Sequence, residues 1–378
     1  MTFTRILLLC FVAVLVRLAA CNASPVAQPA ADENRPRGIV LVVGDGMGSA
    51  HFKLARILRG DEYAIGQLPY TGLVATAAAD RLVTDSAAAA TAYATGVKTN
   101  AGYVGVDPSG ASHPTVLEIA EQQGLATGLV STARFGDATP AAFAAHVTSR
   151  RELAVIARQM LASGADVLAS TGLEWFGADG GPTLEEFASA SGYQAVQTAS
   201  GLQEAGAGPV LAVFPSGELD SESPEITLKA LALWAVERLS SDPDGFFLLV
   251  EHEGTDTASH HHASAALAQN LIALDETVGA VTAFAQQRGD ILVIVVGDHE
   301  TGGLQVDSTW SERGASWRDG YHSGEAVPIF AVGPGAEAFS GFLDNSEVGK
   351  ALLALVKAGA PPSAPVSAAT NAPPPGRP

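Results

Sequence analysis

Ser86 has the sequence setting of a nucleophile beside an anion-binding position. It lies in the segment V-T-D-S-A-A at 83–88 and opens an alanine-rich, helix-forming run that ends at Gly96. A hydroxyl at a helix N-terminus lies beside unpaired backbone N–H groups and the positive end of the helix dipole. Serine needs an adjacent base or a metal ion to become a nucleophile, and no G-x-S-x-G turn surrounds this one. Metal-assisted chemistry is therefore our hypothesis, and a plain helix N-cap is the alternative.

Carboxylates and imidazoles follow three apolar runs that are typical of buried strands. The runs cover 38–43, 246–250 and 291–296. Ligands of open parallel sheets bind at the carboxyl ends of the strands, so we expect these groups to meet. Carboxylates and imidazoles without thiolates suit zinc together with a harder ion such as magnesium. The groups are G-D-G-M-G at 44–48, E-H-E-G-T-D-T-A-S-H at 251–260 and G-D-H-E at 297–300, and a fourth, Y-H-S-G at 321–324, precedes the run 327–332.

The rest of the pattern predicts an α/β fold that positions these groups. Strand-like runs alternate with helical patterns at 151–162, 226–240 and 263–287, which favours βαβ units and a parallel sheet. A chain of 378 residues can bury a large core within one domain. We expect a three-layer sandwich, with a central, mostly parallel sheet flanked by helices.

Taken together, the motifs resemble those of the alkaline phosphatases. The resemblance spans about 38–335 and is weak only across 155–245. The 22 residues from 300 to 321 separate His299 from His322, so we expect little or no crown, the inserted subdomain that contributes to dimer contacts in larger relatives. We therefore favour a compact monomer. The motifs are G-D-G-M-G at 44–48, T-D-S-A-A at 84–88, T-G-V-K-T-N at 95–100, D-A-T-P-A-A at 137–142, H-V-T-S-R at 146–150, D-H at 298–299 and H-S-G at 322–324.

The resemblance implies two zinc sites and one magnesium site. Asp256 and His260 are four residues apart, so they share one helical face and can bind one ion. The implied ligands are Asp256, His260 and His322 for the first zinc, Asp45, Asp298 and His299 for the second zinc, and Thr139, Glu251, the bridging Asp45 and, through water, Asp137 for magnesium.

The resemblance also implies the reaction. Ser86 would attack phosphorus with the help of the second zinc, and the phosphoserine would then be hydrolysed. Arg150 would bind two non-bridging phosphate oxygens through its forked guanidinium, and Asp85 would hold Arg150 in place. Two zinc ions can bind the attacking and leaving oxygens of such a displacement. The predicted activity is hydrolysis of small-molecule phosphate monoesters.

Two other functions remain open from the sequence. A phosphodiesterase or sulfatase-like esterase could use the same scaffold. Against it, Arg150 needs two free phosphate oxygens of a monoester, and the chain has no Cys/Ser-x-Pro-x-Arg motif. A non-catalytic phosphate- or metal-binding surface lipoprotein would have to keep the nucleophile and every metal ligand without using them.

The ends of the chain predict export and attachment to a membrane. Arg5 precedes an apolar run at 6–16, and L-A-A-C at 18–21 resembles a bacterial lipobox. Cys21 would then be the lipidated first residue, and plain signal-peptide cleavage nearby is the alternative. The predicted organisation is a signal peptide at 1–20, a flexible tether at 21–37, the catalytic domain at 38–359 and a disordered Pro-rich tail at 360–378.

The net negative charge limits the classes of molecule that the protein is expected to bind. The formal net charge of −19 argues against nucleic acid or an anionic membrane surface as a partner. It does not argue against a phosphate substrate, because metal ions would dominate the field inside the site. We expect a periplasmic or cell-surface protein that meets the membrane only through a lipid at Cys21.

One position departs from the family pattern. Thr257 follows the predicted ligand Asp256, where many relatives carry Lys, His or Trp near the phosphate. Thr257 either lines the site or is a surface residue. We expect His261 and His262 to lie at the surface.

Overall fold

The computed structural model describes residues 34–217, 219, 226–307 and 314–358. Ten strands form one sheet, and four short strands form two further pairs. The strands are β1 (Gly38–Gly44), β2 (Tyr70–Ala75), β3 (Ala126–Arg134), β4 (Val167–Thr171), β5 (Gln194–Val196), β6 (Val210–Phe214), β7 (Phe246–His252), β8 (Ile291–Gly297), β9 (Glu300–Thr301), β10 (Gln305–Val306), β11 (Ala315–Ser316), β12 (His322–Ser323), β13 (Val327–Val332) and β14 (Gly341–Asp344).

The large sheet is mostly parallel, as the sequence predicts. Its strand order is β14-β2-β13-β8-β1-β7-β3-β4-β6-β5. β13 runs antiparallel to both of its neighbours, and the other pairs are parallel. The three predicted strand runs that precede acids and histidines are β1, β7 and β8, and they lie side by side at the centre.

Helices cover both faces of this sheet and complete the predicted three layers. In β1, Leu41 belongs to one apolar core and Val42 to the other, because successive side chains of a strand point to opposite faces. The helices are α1 (Ser49–Arg59), α2 (Ser86–Thr95), α3 (Val116–Gln122), α4 (Ala138–Ala144), α5 (Leu153–Ala162), α6 (Leu184–Ser189), α7 (Ala199–Glu204), α8 (Leu228–Leu239), α9 (Gly254–His260), α10 (Ser264–Arg288) and α11 (Asn345–Lys357).

The segment between His299 and His322 is short, in agreement with the predicted lack of a crown. Its described residues form the small strands β9, β10 and β11. β9 pairs with β12, so that Thr301 lies opposite His322. This pairing brings the segment that carries His322 back to the end of β8.

The first described residues form hydrogen bonds with the folded domain. The Arg37 backbone N–H donates to the Asp290 carbonyl at 2.8 Å, and the Arg35 guanidinium donates to the Ala358 carbonyl at 2.9 Å. Residues 34–37, which the sequence assigns to the tether, therefore belong to the folded part. The predicted signal peptide, Cys21 and the whole of the predicted tail lie outside the described residues. Within those residues, no helix has both the length and the apolar character needed to span a bilayer.

Candidate active site

The predicted groups meet at the carboxyl edge of the central strands. Gly44, the last residue of β1, lies in register with His252 of β7 and Gly297 of β8. The chain continues from these three strand ends into the segments that carry Asp45, Glu253 to His260 and Asp298. The structure thus gathers, at one edge, residues that lie up to 254 positions apart (45 to 299).

The first predicted zinc group has its three donor side chains in mutual contact. His260 Nε2 lies 3.2 Å from Asp256 Oδ2 and 3.1 Å from His322 Nε2. His322 Nε2 lies 3.7 Å from Asp256 Oδ1. Asp256 and His260 project from successive turns of α9, whereas His322 comes from β12.

The hydrogen bonds of the two imidazoles leave both Nε2 atoms available to a cation. His260 Nδ1 lies 2.8 Å from the Gly320 carbonyl, and His322 Nδ1 lies 3.0 Å from the Thr84 carbonyl. Because a carbonyl can only accept, each Nδ1 carries the proton. If both rings are neutral, the two Nε2 lone pairs face each other. Because two lone pairs repel, a proton or a metal ion must lie between them. Backbone carbonyls that fix a metal-binding tautomer in this way are typical of zinc sites.

Without a metal ion, a proton takes that place. The hydrogen bond to Asp256 raises the pKa of His260 to about 9. Burial lowers the pKa of His322. Burial alone would raise the pKa of Asp256, but the hydrogen bond from His260 and the nearby histidines outweigh it, so this pKa lies well below its ordinary value.

The second predicted zinc group is buried around His299. His299 Nε2 lies 3.4 Å from Asp45 Oδ1 and 3.3 Å from Asp298 Oδ2. Among the described residues, neither of these oxygens has a hydrogen-bond donor. The Thr301 hydroxyl donates to Asp256, so it accepts the Nδ1–H of His299 at 3.2 Å. The Nε2 lone pair of a neutral His299 therefore points at two carboxylates.

The buried negative charges of the second group also favour a bound cation. Burial, and then the charges of Asp298 and Asp256, raise the pKa of Asp45 well above its ordinary value. Burial raises the pKa of Asp298 to about 6 and lowers that of His299 to about 4. Neighbouring buried carboxylates stay ionised only beside a counter-charge and otherwise take up a proton. A divalent cation supplies this counter-charge, and the donor set of imidazole and carboxylate suits zinc.

The two groups share one boundary. The rings of His299 and His322 stack with centroids 3.6 Å apart. Donor atoms of Asp256, His299 and His322 lie within 4.8 Å of one another, as do those of Asp45, Asp298 and His299. His299 is therefore shared by both groups of donors.

The third predicted group offers oxygen atoms alone, which suits magnesium. Glu251 is fully buried, and its Oε2 accepts from the Ser131 hydroxyl. Glu251 Oε1 and the Thr139 hydroxyl have no well-aligned hydrogen bond among the described residues, although Thr139 is close enough to lower the Glu251 pKa. Burial dominates and raises the pKa of Glu251 to about 8. Two buried oxygens without a donor fit a hard cation.

Asp137 has a different setting from the one expected of a water-holding ligand. Its Oδ2 lies 3.3 Å from an Arg150 guanidinium nitrogen, and its Oδ1 lies 3.3 Å from Arg134 Nε. Asp137 is still near enough to raise the pKa of Glu251. Its visible role is to hold Arg150, and each oxygen keeps a further lone pair for water.

Ser86 and Arg150 complete the site. Ser86 is the first residue of α2, and its Oγ lies 3.3 Å from His299 Nε2. Asp85, rather than Ser86, is the N-cap, because Asp85 Oδ1 accepts the Ala88 N–H at 3.1 Å. The alternative of Ser86 as a plain N-cap is thus wrong. Asp85 Oδ2 lies 3.2 Å from Arg150, so the expected contact between Asp85 and Arg150 is present.

Several supporting side chains escape sequence reasoning. Ser131, Thr301 and Arg134 contact predicted site residues through space, and nothing in their local pattern marks them. Thr257 is exposed, and its hydroxyl donates to Glu253 one turn earlier in the chain. His261 and His262 are exposed, as expected.

Comparisons with known proteins place the chain in one family. The family model "Alkaline phosphatase" matches residues 36–313. The chain is 29% identical to alkaline phosphatase 4 of Bacillus subtilis (strain 168), across 87% of this chain and 90% of that protein. It is 32% identical to alkaline phosphatase of Escherichia coli (strain K12), across 82% and 84%. The chain therefore belongs to the alkaline phosphatase family, whose members are phosphoric monoester hydrolases.

A solved structure agrees with this assignment. The fold is similar to that of alkaline phosphatase from the Antarctic bacterium TAB5, with a TM-score of 0.76, 27% identity and coverage of 85% of this chain and 99% of the other. A variant of that enzyme was solved with magnesium bound in its M3 site.

Proposed function

We propose that this chain is an exported phosphomonoesterase that works through a phosphoserine at Ser86, in a site for two zinc ions and one magnesium ion. The observation that carries the proposal is the position of Ser86 Oγ, 3.3 Å from His299 Nε2 and beside the buried carboxylates of Asp45 and Asp298. A serine at the end of a helix, next to a group of metal ligands, has the activation that nucleophilic serine needs.

The donor chemistry assigns the residues that would hold each ion. When bound, the ions would stabilise the attacking and leaving oxygens as Lewis acids. The proposed ligand sets are Asp256, His260 and His322 for one zinc, Asp45, Asp298 and His299 for the other, and Thr139, Glu251 and Asp45 for magnesium, with Asp137 in reach through water.

The chain's own residues then bind and orient the phosphate. Arg150 presents its guanidinium between Asp85 and Asp137, which limit its rotation. Two N–H groups of this fork can bind two non-bridging oxygens of the phosphate. Ser86 Oγ forms the bond to phosphorus as the alcohol leaves, and the helix dipole of α2 favours the anion at this position. Water later breaks the bond between Ser86 and phosphorus and releases inorganic phosphate.

Arg150 and the metal ions together are the reason to expect monoesters as substrates. A monoester leaves three non-bridging oxygens free, two for Arg150 and a third that a metal ion would bind, whereas a diester has only two and a second bulky group. We expect the rate on nitrophenyl phosphate to exceed the rate on bis-nitrophenyl phosphate by orders of magnitude. Rapid acid quench with a labelled monoester should leave phosphate on the peptide that contains Ser86. Comparable rates on both esters, or label on another residue, would refute the proposal.

Export and attachment form a separate part of the proposal. It rests on Arg5, the apolar run at 6–16 and L-A-A-C at 18–21. Cys21→Ala should abolish lipidation and leave a soluble protein or an unprocessed precursor. Mass spectrometry that finds an unmodified N-terminus beyond Cys21 in the wild type would show that the lipid anchor is wrong. A monomer is expected, and a dimer at micromolar concentration in light scattering would contradict it.

A further inference from the structure

His51 is a buried histidine outside the proposed ligand sets. It lies on α1 and is 0% exposed. Its Nδ1 accepts the Gly48 backbone N–H at 3.2 Å, and its Nε2 lies 3.0 Å from Ser259 Oγ. The Ser259 hydroxyl in turn lies 2.7 Å from the Thr255 carbonyl.

These contacts fix every proton in the chain of hydrogen bonds. Because Nδ1 accepts from Gly48, the single proton of a neutral His51 must be on Nε2. His51 therefore donates to Ser259, and the Ser259 hydroxyl donates to Thr255. The ring stays neutral because burial lowers its pKa to about 3. A protonated ring would set Nδ1–H against the Gly48 N–H.

The chain of hydrogen bonds joins the two segments that carry the ligands of different metals. Gly48 ends the loop that contains Asp45, whereas Ser259 lies in α9 directly before His260. Two other hydrogen bonds hold the first turn of α9. The Thr255 hydroxyl donates to the Asp45 carbonyl, and the Asn270 amide donates to the Gly254 carbonyl. In the second turn, His260 itself bonds the Gly320 carbonyl, and His51 adds the contact to Ser259 on another face of the helix.

A short helix depends on such lateral contacts for its orientation. α9 has seven residues, and no side chain caps its N-terminus. Asp256 and His260 occupy one face, and Ser259 lies on the neighbouring face about 100° away. A rotation of α9 that follows loss of the Ser259 contact would therefore move His260 relative to His322, which is held by the pairing of β12 with β9.

We propose that His51 is a positioning residue that, through Ser259, sets the angle at which α9 presents Asp256 and His260 to the first metal ion. The inference rests on the proposed metal sites but not on the phosphatase reaction. Contacts that orient metal ligands typically change metal affinity by about 10–100-fold when lost. Because His51 acts one step behind the ligands, we expect the lower end of that range.

The test compares five variants of the full chain by zinc competition with a chelator. His51→Ala and Ser259→Ala should each lower the zinc affinity of the first site, that of Asp256, His260 and His322, by about tenfold, and the double variant should lose no more than either one. His51→Gln can place an amide N–H near the position of Nε2 and should retain most of the affinity. His51→Asn reaches only the position of Nδ1 and should behave like His51→Ala.

Kinetics and a matched control separate positioning from general damage. In His51→Ala, kcat at limiting zinc should fall and recover at saturating zinc, while KM for a monoester stays near the wild-type value because Arg150 is untouched. Leu54→Ala removes a fully buried side chain from the same helix and should lower stability without changing zinc affinity.

Three outcomes would overturn the inference. These are equal zinc affinities in His51→Asn and His51→Gln, wild-type affinity in Ser259→Ala, and an equal loss of affinity in Leu54→Ala. If the wild type binds zinc and the variants behave as expected but no monoester is hydrolysed, the positioning role stands and the proposed reaction fails.

Discussion

Two histidines of this chain have the same two kinds of hydrogen-bond partner but belong to different kinds of site. His260 and His146 each bond a backbone carbonyl through Nδ1, at 2.8 Å to Gly320 and 2.6 Å to Gly105. Each places Nε2 on a carboxylate, at 3.2 Å from Asp256 and 2.9 Å from Glu118. The difference is a third donor. His322 brings a second Nε2 lone pair to within 3.1 Å of His260.

This difference separates a metal site from an ion pair. Beside His146, one proton satisfies both partners, and the result is an imidazolium next to a carboxylate. Beside His260, a single proton leaves other lone pairs of the group unsatisfied, and a metal ion can engage all of them. A histidine with a carbonyl on Nδ1 is therefore not by itself evidence of a ligand; the number of converging donors decides. The following predictions test that distinction.

The largest effect is expected from the nucleophile. Ser86→Ala should lower kcat by about a thousandfold or more, because no other hydroxyl replaces the attacking group. Zinc content should remain near that of the wild type, since the imidazoles and carboxylates of both groups persist. Steady-state kinetics with metal analysis by mass spectrometry would check both points. Turnover like that of the wild type would refute the mechanism.

Removal of metal should affect the first group and leave the His146 pair unchanged. Chelation should abolish activity and lower Tm, because an ion at about 100 times its Kd adds about 2.7 kcal/mol to the stability of the native state. His322→Ala should lose the zinc of the first group and reduce this Tm shift, whereas His146→Gln should show the full shift. An equal shift in both variants would contradict the distinction.

Thr257 tests whether charge beside the first group matters to phosphate. Thr257→Lys should bind inorganic phosphate about tenfold tighter at most, equivalent to about 1–2 kcal/mol, the scale of a charge-assisted contact. Glu253, which accepts from Thr257, can pair with the new lysine and reduce the gain. kcat should fall wherever release of phosphate limits turnover.

Thr257→Met is the matched control, since it has a similar length and no charge. The measurement is the inhibition constant of phosphate at constant zinc occupancy. An unchanged constant in Thr257→Lys would show that this position does not face the substrate.

The sequence predicts which strand ends form the site better than it predicts the contacts among the side chains there. Apolar runs followed by acids and histidines identify β1, β7 and β8 and, with them, the meeting of Asp45, Asp256 and Asp298. This works because strands of a parallel sheet end at the same edge. The grouping of residues by metal came from family motifs and stays a prediction, since donor atoms of His299 also lie close to those of Asp256 and His322.

Other features depend on contacts that leave no local pattern. The sequence does not show that β13 runs in the opposite direction, because an apolar run has the same pattern in either direction. Asp85 and Ser86 are both good N-caps, and only the fold shows which one bonds the Ala88 N–H. The two arginines on Asp137 likewise come from different segments, β3 and the loop before α5.

The smallest effect is expected from the pH dependence of the His146 and Glu118 pair. The hydrogen bond that His146 donates to Glu118 raises the pKa of His146 above its ordinary value of 6.5. Its contribution to stability is therefore complete below about pH 6.5 and is lost as the pH rises through the folded-state pKa. Burial alone would raise the pKa of Glu118, but the bond from His146 outweighs it and lowers this pKa below 4.5. The contribution of Glu118 to stability is complete above about pH 4.5 and is lost as the pH falls through the folded-state pKa of Glu118.

The pair should therefore stabilise the protein most between these limits. Because both side chains are partly solvated, we expect a coupling energy of no more than about 1 kcal/mol. A double-mutant cycle with His146→Gln and Glu118→Gln, measured by denaturant unfolding at pH 6 and pH 9, would determine it. Coupling should be larger at pH 6, where the imidazolium persists, and smaller at pH 9. Adding zinc should leave this coupling unchanged, because a pair with no third donor cannot hold the ion. Zinc-dependent coupling would mean that the number of converging donors does not distinguish the two histidines.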